Sequence, residues 1–116
     1  MTLKLEICCG GINDIELLKD LPIDRIELNS ALELGGLTPT IETLKKAKEL
    51  TDIPIVTMVR PRCGSFIYSA SELELMYKEA KRLIDNGADG IVTGILGDDY
   101  RVNVEAMQKM KTIVKD

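Results

Sequence analysis

Short apolar segments alternate along the chain with longer segments whose apolar residues recur at helical spacing. Four extended segments are predicted, each rich in apolar or β-branched residues and each followed by a turn. They lie at residues 3–8, 25–29, 55–60 and 90–96. These segments begin about 22 to 35 residues apart, which is the size of a strand-helix unit. The chain is therefore predicted to contain four consecutive βα units with parallel strands.

The first two helices are predicted from their start signals. Asn13 followed by Glu16 three positions later is typical of a capping box. Thr38 followed by Pro39 indicates a second start, because proline suits the first position of a helix. These signals place one helix after each of the first two strands.

The third helix has the most regular pattern of the chain. Ser69 and Glu72 form a second candidate capping box, and the apolar residues that follow share one helical face. Asn86 and Gly87 then provide a C-terminal stop. A last helix is predicted over roughly residues 103–115.

The first two strands are half polar, and this distinguishes between two α/β architectures. Ile26 and Leu28 share one face of the second strand, while the opposite face carries Arg25, Glu27 and Asn29. A doubly wound sheet, covered on both faces, would be apolar nearly throughout. The pattern instead favours a TIM-barrel type of fold, in which one face meets helices and the polar face lines the interior.

The length of the chain sets the extent of this fold. A complete (βα)₈ barrel takes about 250 residues, whereas this chain has 116 residues and four units. We therefore predict one domain, residues 1–116, with the architecture of a half barrel. Three alternatives are open: a fragment, two copies that complete a barrel, or an open half sheet with an exposed polar face. Because such a sheet has two unpaired edges, we expect a homo-oligomer.

Composition excludes several functional classes. With 15 Lys and Arg against 19 Asp and Glu, the net charge of −4 argues against a nucleic-acid partner. No apolar run approaches the ~18 residues of a membrane helix, and the first six residues are unlike a signal peptide. Histidine is absent, so imidazole chemistry is excluded, and the odd count of three cysteines predicts reduced thiols in the cytoplasm.

Two glutamates lie on the polar faces of the first two strands. Glu6 and Glu27 are candidates for a paired-carboxylate site that transfers protons. The alternative is a layer of neutralised charge, in which they pair with Lys4, Arg25 and Arg60. We favour the neutralised layer, because charges of both signs nearly balance on the adjoining faces.

Two arginines flank a proline after the third strand. Arg60 and Arg62 present guanidinium groups from a loop that Pro61 stiffens, which suits a carboxylate or phosphate ligand. The alternative is that each pairs with a carboxylate of the protein, Glu6 and Glu27 being the candidates. Either a small anionic ligand or internal ion pairing is therefore expected here.

The cysteines are candidates for a soft metal. Thiolates select Cu(I) or Zn. Cys8 ends the first predicted strand and Cys63 follows the third, and the working face of a barrel lies at such strand ends. Cys9 points to the opposite face from Cys8, so these neighbours are poorly placed to share one ion. The alternative is that the cysteines are small apolar core residues.

Six sequence blocks in this order resemble the N-terminal half of the CutC family of copper homeostasis proteins. The blocks are LEIC (5–8), DRIEL (24–28), GGLTP (35–39), MVRPR (58–62), FIYS (66–69) and ADGIVTGIL (88–96). The resemblance covers essentially the whole chain. It implies a TIM barrel in the cytoplasm and a role in copper handling, without implying a defined reaction.

The resemblance also implies a ligand set for Cu(I). The proposed ligands of the family are cysteines at the ends of the first and second strands; Cys8 matches the first, but Asn29 occupies the second position. Cys63 is a candidate replacement for the missing thiolate. Arg60, Arg62, Glu6 and Glu27 would line the mouth. The alternatives to copper binding are an enzyme that acts on a small anionic or phosphorylated metabolite, and an inactive truncated product.

Overall fold

A parallel four-stranded sheet forms the centre of the computed structural model, which describes residues 2–115. The strands are β1 (Glu6–Cys9), β2 (Arg25–Leu28), β3 (Ile55–Met58) and β4 (Gly90–Val92), arranged in chain order. The helices are α1 (Ile12–Leu18), α2 (Ile41–Leu50), α3 (Ala70–Asp85) and α4 (Val104–Val114). Four βα units in sequential parallel order confirm the predicted half of a TIM barrel.

The two faces of the sheet differ as the alternation predicts. The outer face packs under the helices and consists of Ile7, Cys9, Ile26, Leu28, Ile55, Thr57, Val59 and Ile91. The inner face points away from the helices and, from the strand register, consists of Glu6, Cys8, Arg25, Glu27, Val56, Met58, Gly90 and Val92. The polar side chains of the first two strands therefore lie on the concave side, as expected of a barrel interior.

The third helix forms as its sequence predicts. The Ser69 hydroxyl accepts the backbone N–H of Glu72 at 3.1 Å, and the Glu72 carboxylate accepts that of Ser69 at 3.0 Å. The helix ends before Gly87, whose φ of +106° suits a residue without a side chain. None of the helices within residues 2–115 has the length and apolar content needed to cross a membrane.

The predicted start of the first helix is wrong by two residues. Helix α1 begins at Ile12 after Gly11, and no side chain caps it. Asn13, the expected cap, lies inside the helix and is exposed. The Asp14 carboxylate in the first turn instead accepts the backbone N–H of Gly10 at 2.8 Å, which ties the helix to the segment before it.

The second helix also begins later than predicted. Its cap is Thr40, whose hydroxyl accepts the backbone N–H of Thr43 at 3.1 Å. Thr38 has a different task, since its hydroxyl accepts the backbone N–H of Arg60 at 2.9 Å and its own N–H donates to the Arg60 carbonyl at 3.1 Å. The segment after β2 is thereby tied to the end of β3.

The strands are shorter than the apolar runs that predict them. Strand β1 begins at Glu6, so residues 3–5 precede it, and β4 ends at Val92, four residues before its predicted end at Leu96. Leu96 forms isolated bridges with Ile67 and Val102 instead. Residues beyond Val92 thus contribute to the loops at the strand ends, where a barrel carries its functional groups.

Candidate functional site

The three cysteines lie in different environments. Cys8 is exposed on the inner face of β1, whereas Cys9 is fully buried on the outer face. This opposition agrees with the alternation along the strand. Cys63 is exposed in the loop that follows β3. One accessible thiol therefore lies on the inner face, a second is exposed in the loop after β3, and the third belongs to the core.

The Cys8 thiol is in contact with a buried amide. Asn29 is only 2% exposed, and its side-chain amide N–H₂ donates to the Cys8 sulfur at 3.2 Å and toward a Glu27 carboxylate oxygen at 3.4 Å. The Asn29 backbone N–H donates to the Cys9 carbonyl at 2.8 Å. The amide thus bridges the thiol of β1 and the carboxylate of β2.

A glycine leaves the space that the Asn29 amide occupies. The Asn29 oxygen lies against Gly36, where an added Cβ would come within 2.6 Å of it. Gly36 also has a φ of +95°, which favours glycine for a second reason. The sequence does not predict this contact, because nothing in a Gly-Gly pair shows which side chain will approach it.

The surroundings of Cys8 keep its thiol protonated. Burial raises the pKa of Cys8, and the carboxylates of Glu27, Glu6 and Asp14 raise it further. Burial likewise raises the pKa of Cys9 to about 11, with smaller contributions from Asp14 and Cys8. The negative potential that opposes a free thiolate at Cys8 also favours a cation bound to its sulfur.

The charges of the first two strands are partly neutralised. Arg25 donates through its Nε to the Glu6 carboxylate across the β1–β2 pair. Lys4 lies 3.7 Å from Asp24, and not beside either glutamate of the inner face. The charge of Glu6 is thus neutralised by Arg25, whereas Glu27 accepts the hydrogen bond from the Asn29 amide.

Arg60 is held by backbone carbonyls and not by the carboxylates expected as partners. Its Nη1 donates to the carbonyls of Leu34 and Gly36 at 3.2 and 3.4 Å, and its Nη2 donates to that of Gly64 at 3.1 Å. The guanidinium also lies 5.0 Å from the centre of the Phe66 ring. Arg60 therefore clamps the loops that follow β2 and β3 together.

Arg62 ties its loop to the start of α3. Its Nε and Nη2 donate to the two carboxylate oxygens of Glu72 at 2.6 and 3.2 Å, and the guanidinium lies 4.8 Å from the centre of the Tyr68 ring. This pairing, with the Ser69 N–H, holds the pKa of Glu72 below its usual value. An anionic ligand would have to compete with these contacts, so its binding at Arg60 and Arg62 stays a prediction.

The candidate metal ligands of the inner face are few: the Cys8 thiol and the carboxylates of Glu6 and Glu27. Within residues 2–115, no group of three or more His, Cys, Asp and Glu side chains could hold a metal ion. Cu(I) is selected by thiolates, and Cys8 offers one at the inner face. Cys63 is the other exposed thiol in the described part of the chain.

Comparisons with known proteins place the chain in a family. The model of the CutC family matches residues 3–115. A CutC family protein of Treponema denticola is 43% identical over 97% of this chain, and one of Photorhabdus laumondii is 38% identical over the same share. Each match covers 46% of the relative, so the chain spans about half the length of the relatives it matches.

A solved structure agrees with this assignment. The crystal structure of a candidate copper homeostasis protein CutC from Streptococcus agalactiae superposes with a TM-score of 0.89 at 30% identity. The match covers 97% of this chain and 55% of that one. The half barrel described above is thus similar to part of a longer CutC chain, and the protein belongs to the CutC family.

Proposed function

We propose that this protein contributes to copper homeostasis in the cytoplasm by binding Cu(I) through the thiolate of Cys8, with Cys63 as the second thiolate. One observation carries the proposal: Cys8 presents an accessible thiol on the inner face, in contact with a buried amide and surrounded by carboxylates. Its membership of the CutC family and the name of the Streptococcus agalactiae structure support the link to copper.

The chemistry requires an exchange of cations at the sulfur. When Cu(I) binds, the Cys8 thiol releases its proton and the metal takes its place. Glu27 and Glu6, which raise the pKa of the thiol, favour the positive metal by the same Coulombic attraction. The Asn29 amide N–H, which donates to the sulfur, stabilises the negative charge on the thiolate.

The proposed second thiolate belongs to Cys63, whose two neighbours in the loop are held by hydrogen bonds. Cys63 lies between Arg62, which is paired with Glu72, and Gly64, whose carbonyl accepts from Arg60. These contacts restrict the loop while the Cys63 side chain stays exposed. Binding would then be a sequestration or delivery of Cu(I) by ligand exchange, with no covalent change in a substrate.

The test is an anaerobic titration of the reduced protein with Cu(I) in competition with a chromogenic chelator. We expect Cys8→Ser to weaken Cu(I) binding at least about tenfold, and Cys63→Ser to weaken it by a smaller factor. Cys9→Ala is the matched control, because it removes a thiol from the core and leaves both exposed thiols in place. Cu(I) affinity of the Cys8→Ser and Cys63→Ser variants equal to that of the parent would show that thiolate binding is wrong.

A further inference from the structure

We propose that the loop after β3, residues 61–68, binds a phosphoryl group through its backbone N–H groups. The ligand is a small phosphorylated molecule or free phosphate, which share this chemistry. The inference is independent of copper binding, because it uses the backbone of the loop and not the Cys63 thiol. The loop lies beyond the C-terminal end of β3, and in a barrel ligands bind at that end of the strands.

The carbonyl groups of this loop are engaged within the protein. Five consecutive carbonyls accept hydrogen bonds, and they belong to Cys63, Gly64, Ser65, Phe66 and Ile67. Arg60 and Arg62 donate four of these bonds, and the backbone N–H of Leu96 donates the fifth. The carbonyl groups of the loop therefore need no donor from a ligand.

The N–H groups of the same segment are free. Within residues 2–115, none of the backbone N–H groups of residues 62–66 donates a hydrogen bond to a protein acceptor. Residues 63–66 are also exposed, so these donors are open to solvent or to a ligand. A ligand at this segment meets donors and few acceptors. Consecutive backbone N–H groups of this kind bind anions.

The loop also contacts an unpaired positive charge. Arg60 donates to carbonyl oxygens and forms no ion pair with a carboxylate in the part of the chain that the structure describes. Its Nε is buried and has no hydrogen-bond partner there. Arg62, by contrast, is paired with Glu72. Because a poorly solvated charge without a partner is costly, an anion bound at this loop stabilises Arg60.

The number of donors favours a phosphoryl group over a carboxylate. A phosphoryl group presents three acceptor oxygens and nearly two negative charges, whereas a carboxylate presents two oxygens and one charge. The segment 60–71 contains two arginines and no acidic residue, so its own charge does not repel a dianion. Free backbone N–H groups beside a basic side chain are the arrangement by which phosphate-binding loops hold their ligands.

The direct test is an NMR titration of the isotope-labelled, metal-free protein with inorganic phosphate, glycerol phosphate and acetate. Chloride keeps the ionic strength constant, and the amide chemical shifts are followed. We expect the shift changes to concentrate on residues 62–66 and to saturate with both phosphates at lower concentration than with acetate. Tighter binding of glycerol phosphate would support a phosphorylated molecule as the ligand, and tighter binding of inorganic phosphate would support free phosphate.

A pair of arginine variants tests the role of the unpaired charge. Arg60→Gln should raise the dissociation constant for inorganic phosphate about three- to tenfold, because it removes the positive charge that the loop contacts. Arg82→Gln is the matched control: Arg82 is exposed in the last turn of α3, and its substitution removes the same charge far from the loop. The dissociation constant of this control should equal that of the parent.

Two further points keep the result decisive. Arg60 also joins two loops, so circular dichroism checks that Arg60→Gln is folded, and the shift changes of the parent protein need no variant. Cys63→Ser removes a proposed copper ligand but keeps the backbone N–H, so phosphate binding should persist in it. Shift changes outside residues 62–66 only, acetate binding as tight as phosphate binding, or equal effects of the two arginine variants would each overturn the proposal.

Discussion

The two faces of the same four strands perform different tasks. The outer face is mostly apolar and lies buried under the helices, and it contains fully buried residues such as Ile26 and Leu28. The inner face carries a thiol, two carboxylates and a guanidinium on β1 and β2, and most of these are exposed. Alternation places both sets in strands of only three or four residues, so neighbouring residues belong either to the fold or to the chemistry.

The inner face is itself divided. Its polar groups belong to β1 and β2, whereas β3 and β4 contribute Val56, Met58, Gly90 and Val92. The Asn29 amide joins the polar pair of strands by contacting Cys8 and Glu27. The candidate chemistry is therefore confined to one side of the concave surface, with an apolar surface beside it.

The largest contrast between the faces should appear in stability. Leu28→Ala removes a fully buried side chain from the outer face and should lower the free energy of unfolding by about 2–5 kcal/mol. Met58→Ala removes a half-buried side chain of similar size from the inner face and should cost less than half as much. Urea unfolding monitored by circular dichroism measures both values.

Both alanine variants are compared with the parent protein at the same chain concentration. Equal losses of stability for the two alanine variants would mean that the inner face is as closely packed as the outer face. The distinction between the two faces would then be wrong.

A second contrast concerns the residue at position 29. Asn29→Cys would place a thiol where the amide now lies 3.2 Å from the Cys8 sulfur, so two thiolates could hold one Cu(I). We expect Cu(I) affinity to rise at least about tenfold in a competition titration. Adding Cys8→Ser to this variant should remove the gain. An unchanged affinity would show that the β1–β2 side of the inner face does not hold the metal.

The reactivity of Cys8 gives a smaller effect. Glu27→Gln removes a carboxylate that raises the pKa of the Cys8 thiol, while burial, the larger cause, stays in place. The pKa should therefore fall but not below that of a free thiol, and alkylation at mildly alkaline pH should accelerate by no more than about tenfold. Iodoacetamide kinetics in a Cys63→Ser background isolate Cys8, since Cys9 is fully buried. A slower reaction would contradict this electrostatic assignment.

The smallest expected effect is on acid stability, and it comes from carboxylates outside the inner face. The hydrogen bonds from Arg62 lower the pKa of Glu72. At Asp89, burial raises the pKa, but the hydrogen bonds from Lys48 and from the Ile55 N–H outweigh it, so the pKa is lowered overall. A lowered pKa in the folded state stabilises the protein above the unfolded-state pKa, and this stabilisation is lost as the pH falls. Glu72→Gln and Asp89→Asn should flatten the acid side of the stability curve, measured by urea unfolding from neutral to acidic pH. An unchanged acid side would contradict both assignments.

Local sequence signals predicted the fold well. Alternation in β1 and β2 identified the two faces, and the spacing of Ser69 and Glu72 located the start of α3. Such signals act within a few residues of chain, so they can be interpreted without knowing the tertiary structure. Asn13 shows the limit of such signals, because it was predicted to cap the first helix, whereas the side chain that accepts a backbone N–H there is Asp14, from Gly10.

The site was predicted less completely, because its contacts join distant loops. The strand-end position of Cys8 and the alternation of Glu6 predicted that both lie on the inner face, as the strand register has them. The carbonyl partners of Arg60 depend on the paths of two loops, and sequence spacing does not determine those paths. The same holds for Gly36, whose contact with Asn29 exists only after β2 and the following loop have folded.

X-ray absorption spectroscopy of the Cu(I)-loaded protein tests the central claim most directly, because it reports the atoms bound to the metal. We expect a coordination shell of sulfur atoms in the parent protein and in Cys9→Ala, and the loss of that shell in Cys8→Ser. A shell of nitrogen or oxygen atoms in the parent, or a sulfur shell that persists in Cys8→Ser, would contradict the assignment of Cys8 as the copper ligand.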